Sequence, residues 1–469
     1  MITKCYVQVF RYRRVCHNTK YSFNSVVSIK WLHSAGSSLS QANSSKTSQS
    51  SLTSSGFLYY EDPHRYNGSD VSANASETTS TSTAKPVIHS ATPYSDKYYQ
   101  PIISQGAKGF DKLIIPVGFH ADNQTVSLEE DKESPIQQDQ LQEIVNSFDA
   151  PIDVSIGYGS GILPQDGYDK DKSTPNNTAN DSKQLDFMFL VKDCGKFHQE
   201  NLKQNRDHYS IKSLRLIKKV QGTNGMYFNP FIKINEKLVK YGVISSKSAL
   251  MDLSEWHSLY FAGRLQKPVN FITTNDPRVK FLNQYNLKNA MTIAIFLIDG
   301  EGNSRQATFN ERQLYEQITK LSYLGDFRMY IGGENPNKSK NIVAKQFHHF
   351  KKLYEPILQY FIHKNFLIIV DNDPVNRTFK PNLNVNNRIK LITGLPLKFR
   401  QQLYGRYYEK SIKEIVIDDH LSQNLTKIIS RTIIISSITQ AIRGLLSAGL
   451  FNSIKYAVAK QIKFWTSKK

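Results

Sequence analysis

A glycine-rich turn follows a predicted strand near the middle of the chain. Residues 152–156 alternate apolar and polar side chains, which predicts a strand, and the sequence continues as Gly157-Tyr158-Gly159-Ser160-Gly161. Small residues in a turn let backbone N–H groups approach phosphate oxygens closely, and the Ser160 hydroxyl adds a further donor. This pattern indicates the loop with which nucleotidyltransferases bind a nucleoside triphosphate.

Two other interpretations of this turn stay open. A dinucleotide-binding turn needs a glycine where Ile162 stands, and Pro164 falls where the following helix should run. A plain tight turn would bind no ligand. A P-loop is excluded because no Gly-Lys-Ser/Thr follows the glycines.

A single carboxylate interrupts the apolar strand predicted at 185–191. Asp186 is costly to bury there unless it pairs with a cation, so we predict that it binds Mg²⁺, which neutralises charge on the nucleotide phosphates. Nucleotidyltransferases usually carry a second acid two residues later, but Met188 stands at that position. Asp326, Glu334 or the nucleotide's own phosphates would then complete the metal site. The alternative is a salt-bridged strand aspartate without a metal.

A lysine lies in a second apolar strand. Lys240 is surrounded by apolar or small residues in the strand predicted at 238–245, and a lysine in that setting needs an anion. We predict that a substrate phosphate is that anion. The alternative is an edge-strand lysine that prevents aggregation.

The elements around these residues predict an α+β fold. A helix is expected at 136–148, strands at 226–231 and 231–234, and a hairpin turn at Asn235-Glu236 before the strand at 238–245. Residues 246–365 show mostly helical spacing. A short strand at 367–370 and a helix at 397–408 follow.

The charge of the chain is concentrated at its two ends. The 469 residues contain 60 Lys and Arg and 40 Asp and Glu, a net charge of +20. Residues 1–60 hold seven bases and no acid, and residues 421–469 hold eight bases and no acid, which leaves +5 for the middle. A nucleic-acid-binding domain usually carries its charge on the folded body, so this distribution argues against nucleic acid as a partner.

The first 135 residues predict a targeting segment and a linker rather than a folded domain. Residues 1–33 are basic, rich in hydroxyl groups and free of acids, which is typical of a mitochondrial presequence; a disordered basic tail is the alternative. Residues 34–135 are rich in Ser and Thr and predict a mostly disordered linker. The three cysteines are too few for a disulfide framework, and no 18-residue apolar window predicts a membrane span.

The basic segment 421–469 predicts an amphipathic helix. Its apolar residues fall on one helical stripe, and its bases lie off that stripe. Such a helix lies on an anionic membrane surface or packs on the enzyme body. The stripe consists of Ile442, Leu445, Leu446, Leu450, Ile454, Ala457, Val458, Ile462 and Trp465.

Several longer segments carry a resemblance to a known family. They are the turn at 157–161, the stretch from Phe197-His198 through 201–205 to His208-Tyr209-Ser210, Tyr227-Phe-Asn-Pro230, and the stretches 239–244, 259–269 and 321–328. Together these segments resemble the mitochondrial translocator assembly and maintenance family, whose members are matrix-side CDP-diacylglycerol synthases.

The resemblance implies a fold and a reaction. The fold would be a nucleotidyltransferase-like mixed sheet with helices over 136–245, a helical winged-helix-like domain over 246–420, and the amphipathic membrane-contacting segment. The reaction would convert CTP and phosphatidate to CDP-diacylglycerol and pyrophosphate with Mg²⁺. The enzyme would be peripheral, on the matrix side of the mitochondrial inner membrane, and would feed cardiolipin synthesis. A homo-oligomer is compatible with these features.

The resemblance assigns roles to the glycine turn and Asp186, and the residue types themselves suggest roles for the others. Ser160, Asp186 and Lys240 form the expected catalytic set, and Gly159, Ser160 and Gly161 would hold the triphosphate. Arg264 and Lys267 would bind the phosphatidate headgroup or merely cap a helix. Contacts to phosphate or cytosine are expected from His208, Tyr209 and Asn229. His208 and Tyr209 belong to a polar cluster for which helix capping and solvation are the alternative. This cluster consists of His198, Asn201, Asn205, His208, Tyr209 and Ser210.

Two other classes of function compete with this interpretation. The basic ends also suit a non-enzymatic maintenance factor for the inner-membrane protein import translocase. An RNA nucleotidyltransferase is suggested by analogy of fold alone, and the nearly balanced charge of the middle argues against it.

Overall fold

A computed structural model of the chain describes residues 121–129, 134–165, 184–223, 225–301, 308–330 and 335–448. The predicted presequence, most of the predicted linker, Glu334 and residues 449–469 lie outside the described residues. The strands are β1 (Val154–Tyr158), β2 (Leu185–Val191), β3 (Tyr227–Ile234), β4 (Lys237–Ser245), β5 (Asn270–Thr274), β6 (Phe309–Asn310), β7 (Leu367–Asp371) and β8 (Thr378–Pro381). The helices are α1 (Gln138–Asn146), α2 (Cys194–Gln204), α3 (Leu214–Gln221), α4 (Ser246–Glu255), α5 (Ala262–Leu265), α6 (Arg278–Glu301), α7 (Glu311–Leu321), α8 (Phe327–Tyr330), α9 (Lys338–His363), α10 (Val385–Thr393), α11 (Leu397–Tyr404), α12 (Ile412–Ile417) and α13 (Leu421–Ala448).

The larger sheet has five strands in the order β3-β4-β2-β1-β5. The pair β2–β4 is parallel and the other pairs are antiparallel, so the sheet is mixed. Tyr158 on β1 pairs with Asp186 on β2, which in turn pairs with Lys240 on β4. These three residues therefore form one row across the sheet, and the predicted α+β class is confirmed.

The predicted hairpin joins β3 to β4. Asn235 and Glu236 form its two-residue turn and both have positive φ, as a tight hairpin turn requires. The two strands expected at 226–231 and 231–234 are one strand with a bend. The bend lies at Phe231, whose φ is 61°, and the pairing with β4 shifts register between Asn229 and Ile232.

Strands also occur where the sequence predicts mostly helix. β5 lies inside 246–365 and pairs with β1, so the larger sheet takes its last strand from beyond residue 245. β6, β8 and β7 form a second, antiparallel sheet. The strand expected at 367–370 is β7, but β6 and β8 have only two and four residues, too few for period-2 alternation to show.

The two faces of the larger sheet contribute to two different cores. Alternate residues of β2 point to opposite faces: Phe187 and Phe189 pack with α1 and α2, whereas Met188 and Leu190 join the core of the helical part of the chain. One apolar core therefore runs from the sheet into α6, α9 and α13.

The last helix begins earlier than the predicted stripe. α13 starts at Leu421, and its first three turns bury Leu425, Ile428 and Ile429 in the common core. The start of the helix therefore packs on the enzyme body, whereas the described residues of the predicted stripe, Ile442, Leu445 and Leu446, are exposed. None of the described helices combines the length and hydropathy needed to cross a bilayer.

Candidate active site

A cavity of about 650 Å³ opens where the carboxyl end of β1 meets the helical part of the chain. Its wall combines the turn after β1, the pair β2–β4, the segment around α5, the start of α9 and the middle of α13. The charged and polar residues of this wall include Ser160, Asp186, Lys240, Arg264, Lys267, Asp326, Arg328, Lys338, Gln346, Ser436, Ser437 and Gln440.

Two glycines give the turn after β1 its shape. Gly159 has a φ of +82°, a backbone conformation that side chains with a Cβ rarely adopt. A Cβ on Gly161 would lie 2.2 Å from the carbonyl oxygen of Gln184, so only glycine allows the turn to approach the start of β2. The carboxylate of Asp186 lies against the same turn, because a Cβ on Gly159 would lie 3.1 Å from its Oδ2.

Asp186 and Lys240 form an ion pair on the cavity wall. Lys240 Nζ donates to Asp186 Oδ1 at 3.0 Å, and the ammonium group lies 4.9 Å from the centre of the Phe228 ring. Burial acts to lower the pKa of Lys240, but the neighbouring Tyr158, Asp186 and Tyr260 raise it above its ordinary value. Lys240 is therefore a fixed positive charge beside the turn.

A second basic pair lies on the helical side of the cavity. The Arg264 guanidinium stacks 3.9 Å from the centre of the Tyr260 ring and donates to the carbonyl oxygen of Tyr260. Lys267 Nζ donates to Ser322 Oγ at 2.8 Å and also to the carbonyl oxygen of Gly263. Burial and the neighbouring Arg264 lower the pKa of Lys267 to about 7.

The other cavity carboxylate is held by an arginine. Arg328 Nε donates to Asp326 Oδ1 at 3.0 Å, and Arg328 Nη2 pairs with Asp326 Oδ2. Although burial opposes it, this arginine holds the pKa of Asp326 below its usual range. Within the described part of the chain no group of three acids, histidines or cysteines could hold a metal ion, and Glu334 lies outside it.

One carboxylate at the turn is still a suitable donor for Mg²⁺. Magnesium is usually bound through one or two protein carboxylates together with substrate phosphates and water. Asp186 lies against the glycine turn and lines the cavity together with Gly159 and Ser160. Met188, at the usual position of a second acid, is fully buried in the core, so it leaves no oxygen ligand there.

The charge of the cavity suits a ligand with several phosphates. Two carboxylates, Asp186 and Asp326, face a larger set of bases on the same wall. An excess of positive charge inside a concave site attracts anions and raises their local concentration. The bases are Lys240, Arg264, Lys267, Arg328 and Lys338.

Three of the predicted substrate-binding residues lie elsewhere. His208, Tyr209 and Asn229 are buried on the opposite face of the sheet and do not line the cavity. The Tyr209 hydroxyl lies 2.9 Å from His198 Nδ1 and accepts from Asn201 Nδ2 at 2.9 Å.

His208 also has a partner inside the cluster, because its Nδ1 lies 3.0 Å from the Tyr241 hydroxyl. The buried Asn229 amide lies near the same hydroxyl, but neither of its polar atoms makes a hydrogen bond within the described structure. Burial lowers the pKa of His198 to about 4, so its imidazole is neutral. The structure thus favours an internal hydrogen-bond network over the phosphate or cytosine contacts expected here.

The sequence of the chain matches a known family. The model of the family described as mitochondrial phosphatidate cytidylyltransferase matches residues 141–463. A Schizosaccharomyces pombe protein named mitochondrial phosphatidate cytidylyltransferase is 34% identical, covering 74% of this chain and 88% of its own length. Proteins of the same name from Saccharomyces cerevisiae and mouse are 37% and 33% identical, covering 73% and 69% of this chain and 74% and 94% of their own lengths. The chain belongs to this family. The matched range includes every residue of the cavity wall, from Tyr158 to Ser447.

Sequence reasoning missed several residues of this cavity. Tyr158 and Tyr260, which flank Arg264, lie in stretches that carry the family resemblance, but only the ring contacts show their role. Arg328 lies in a stretch that carries the family resemblance, and this was its one available signal. The polar residues of α13 had none, because the segment was interpreted as a membrane contact; they are Ser436, Ser437 and Gln440.

Proposed function

We propose that this chain transfers a cytidylyl group from CTP to phosphatidate, giving CDP-diacylglycerol and pyrophosphate. The observation that carries the proposal is the row formed by Asp186 and Lys240 beside the glycine turn, inside a cavity rich in bases. The names of the relatives supply the nucleotide and the lipid substrate. The relatives' names also support a mitochondrial location.

The cavity offers separate positions for the two substrates. In this proposal the turn Gly159-Ser160-Gly161 binds the triphosphate through backbone N–H groups and the Ser160 hydroxyl. Lys240 neutralises phosphate charge on the sheet side. Arg264 and Lys267 bind the phosphate of phosphatidate on the helical side, where Tyr260 and Ser322 orient them.

The reaction needs no nucleophile from the protein. An oxygen of the phosphatidate phosphate forms a bond to the α-phosphorus of CTP, and the bond from that phosphorus to the bridging oxygen breaks, releasing pyrophosphate. The chain's task is to hold the two phosphates together and neutralise their repulsion. Mg²⁺ held by Asp186, with Asp326 on the same wall, would supply further positive charge to the phosphates.

We further propose that the enzyme works at the matrix face of the mitochondrial inner membrane and supplies cardiolipin synthesis. The support is the row of exposed apolar residues on the outer side of α13, opposite the residues that line the cavity. This row consists of Ile434, Ile435, Ile438, Ile442 and Leu446, and the exposed Leu445 beside it lines the edge of the cavity. A bilayer in contact with it would lie next to the cavity that accepts the lipid.

Pyrophosphate release from CTP in the presence of phosphatidate vesicles and Mg²⁺ tests the reaction. The parent chain should release pyrophosphate, and Asp186→Ala should lose at least about a hundredfold in rate, because removing a preorganised charge partner costs about 10²–10³. Asp149→Ala, which changes an exposed carboxylate away from the cavity, is the matched control and should behave as the parent.

The same variant separates the enzyme from the maintenance factor. If Asp186→Ala released pyrophosphate at the parental rate, the assigned site would be wrong. If that variant lost pyrophosphate release but still restored both cardiolipin and protein import in cells lacking the gene, the enzymatic proposal would be replaced by the non-enzymatic one.

A further inference from the structure

A second basic surface lies outside the cavity and outside the C-terminal segment. Between Asp207 and Glu236 the chain carries five bases and no acid. Three of them, Arg215, Lys218 and Lys219, lie on α3, and all three are exposed. The middle of the chain is otherwise nearly balanced in charge, so this helix is a local concentration of positive charge.

One face of α3 joins two bases to an exposed leucine. Arg215, Leu216 and Lys219 share this face, which we call the α3 face, and the leucine side chain is 52% exposed. Ile217 and Gln221 on the other side are buried and fix the helix to the body. In the part of the chain that the structure describes, no carboxylate pairs with Arg215 or Lys219. An apolar side chain between bases matches the boundary between lipid headgroups and acyl chains.

The C-terminal end of the helix that carries the α3 face contacts α13. Gln440 Nε2 on α13 donates to the carbonyl oxygen of Met226 at 3.1 Å, just before β3. The Arg443 guanidinium lies against Gly222 at the end of α3, where a Cβ would be 3.0 Å from its Nη2. The turn of α13 that contacts the end of α3 thus also carries the exposed Ile442.

We infer that the α3 face is a second contact with an anionic lipid bilayer, in which Arg215 and Lys219 bind lipid phosphates and Leu216 enters the headgroup region. The inference rests on the proposed function, because a bilayer supplies the lipid substrate. One helix lying on a membrane can roll about its own axis, whereas a second, separate contact limits that rotation. The α3 face therefore orients the cavity toward the surface from which phosphatidate comes.

Flotation of the full chain with vesicles tests the contact without any catalysis. The vesicles contain phosphatidylcholine and phosphatidylglycerol, an anionic lipid that is not the proposed substrate. Arg215→Gln/Lys219→Gln should lower the partition constant about 30-fold, since each base near an anionic surface contributes about fivefold. Lys390→Gln/Lys413→Gln removes two exposed bases from other helices and should leave partition within about twofold of the parent, because these side chains lie away from the α3 face.

A second variant reports insertion directly. In Leu216→Trp, bromine-labelled acyl chains should quench tryptophan emission more strongly than in the parent chain. Equal flotation of the two double variants, or no additional quenching, would overturn the inference. If the α3 variant floated normally but lost binding to single-stranded RNA, the surface would be an RNA contact instead.

One further measurement keeps this inference separate from the proposed function. With phosphatidate dispersed in neutral detergent micelles, Arg215→Gln/Lys219→Gln should release pyrophosphate at the parental rate, because the charged bilayer is absent. Failure of every chain to release pyrophosphate, with the flotation contrast intact, would overturn the enzymatic proposal and leave the membrane contact. If Arg215→Gln/Lys219→Gln floated as the parent does while catalysis was normal, the membrane contact would be overturned and the enzymatic proposal would stand.

Discussion

Lys267 is a half-buried lysine on the cavity wall, and its charge depends on pH in the physiological range. Burial and Arg264 lower its pKa to about 7, so the ammonium form dominates below that pH and the neutral amine above it. A bound phosphate favours the ammonium form and raises the pKa in the complex. Affinity for the phosphate ligand should therefore be strongest below pH 7 and weaken as pH rises toward 9.

The pH profile of KM for phosphatidate checks this expectation. Lys267→Arg stays charged throughout this pH range, so its KM for phosphatidate should rise less with pH than the parental KM does. Above pH 7 the two slopes should differ by up to about tenfold in KM per pH unit. Titration of the lipid phosphate is common to both chains and cancels in the comparison. Parallel profiles for the two chains would show that Lys267 does not titrate during binding.

Substitution of Tyr209 tests whether this residue belongs to an internal hydrogen-bond network or contacts the substrate. Its hydroxyl accepts from Asn201 and contacts His198, far from the cavity wall. Tyr209→Phe should lower the free energy of unfolding by about 1–3 kcal/mol, because buried polar partners lose their bond, and should leave KM for CTP unchanged. Denaturant unfolding and initial rates measure the two effects.

The control for this substitution is an exposed tyrosine. Tyr408 is 71% exposed, so Tyr408→Phe should change neither stability nor KM appreciably. A rise in KM for CTP in Tyr209→Phe at unchanged stability would restore the nucleotide contact that the sequence alone suggested. The sequence offered substrate contacts or helix capping and solvation for this polar cluster. It could not predict a buried network, because that depends on which face of the sheet the side chains occupy.

At the scale of elements, the turn after β1 depends on the missing side chain of Gly161. Gly161→Ala would place a Cβ 2.2 Å from the carbonyl oxygen of Gln184, which is backbone and cannot move aside easily. We expect a loss of at least about 2 kcal/mol in the free energy of unfolding, together with weaker CTP binding. Thermal unfolding and KM for CTP measure both.

Gly444 offers the opposite case within α13. A Cβ there meets no atom within 4 Å, so Gly444→Ala should stabilise the chain by about 0.5–1 kcal/mol through helix propensity. If both substitutions destabilised the chain equally, the cost at Gly161 would reflect loss of glycine in general rather than the close approach to β2.

The elements that the sequence predicted best carry a strong local signal, either a continuous apolar run or characteristic turn residues. β2 was expected at 185–191 and has these bounds, and the β3–β4 hairpin was expected from its turn residues. The helices expected at 136–148 and 397–408 end earlier, at Asn146 and Tyr404. β5 was missed because it lies between helices, and its pairing with β1 is a long-range contact that no local pattern records.

At the scale of the whole molecule, the cavity exists only where separately predicted parts meet. Asp186 and Lys240 come from the sheet, Arg264 and Lys267 from the segment around α5, and Gln440 from the last helix. Each charged residue of the sheet could be singled out from its apolar surroundings. The sequence could not predict that these residues meet in one site. The domain boundaries predicted at 245 and 420 assign the walls of the cavity to different domains.

The last helix joins the cavity to the membrane, and its two sides can be tested independently. Ile438 and Ile442 belong to the exposed row, away from the cavity-lining Gln440. Ile438→Asn/Ile442→Asn should lower partition onto anionic vesicles at least about tenfold, since it removes apolar surface that the bilayer would cover. Because the cavity wall is unchanged, pyrophosphate release from phosphatidate in detergent micelles should stay near the parental rate.

Val370→Asn/Val375→Asn is the matched control, because it removes two apolar side chains that are at least as exposed but belong to β7 and the loop after it. It should float as the parent does. Equal losses in both double variants would mean that the bilayer covers the small sheet as well. Loss of catalysis in micelles by the α13 variant would instead mean that the exposed row holds the cavity wall in place, and the helix would then serve the fold of the active site rather than its contact with the lipid surface.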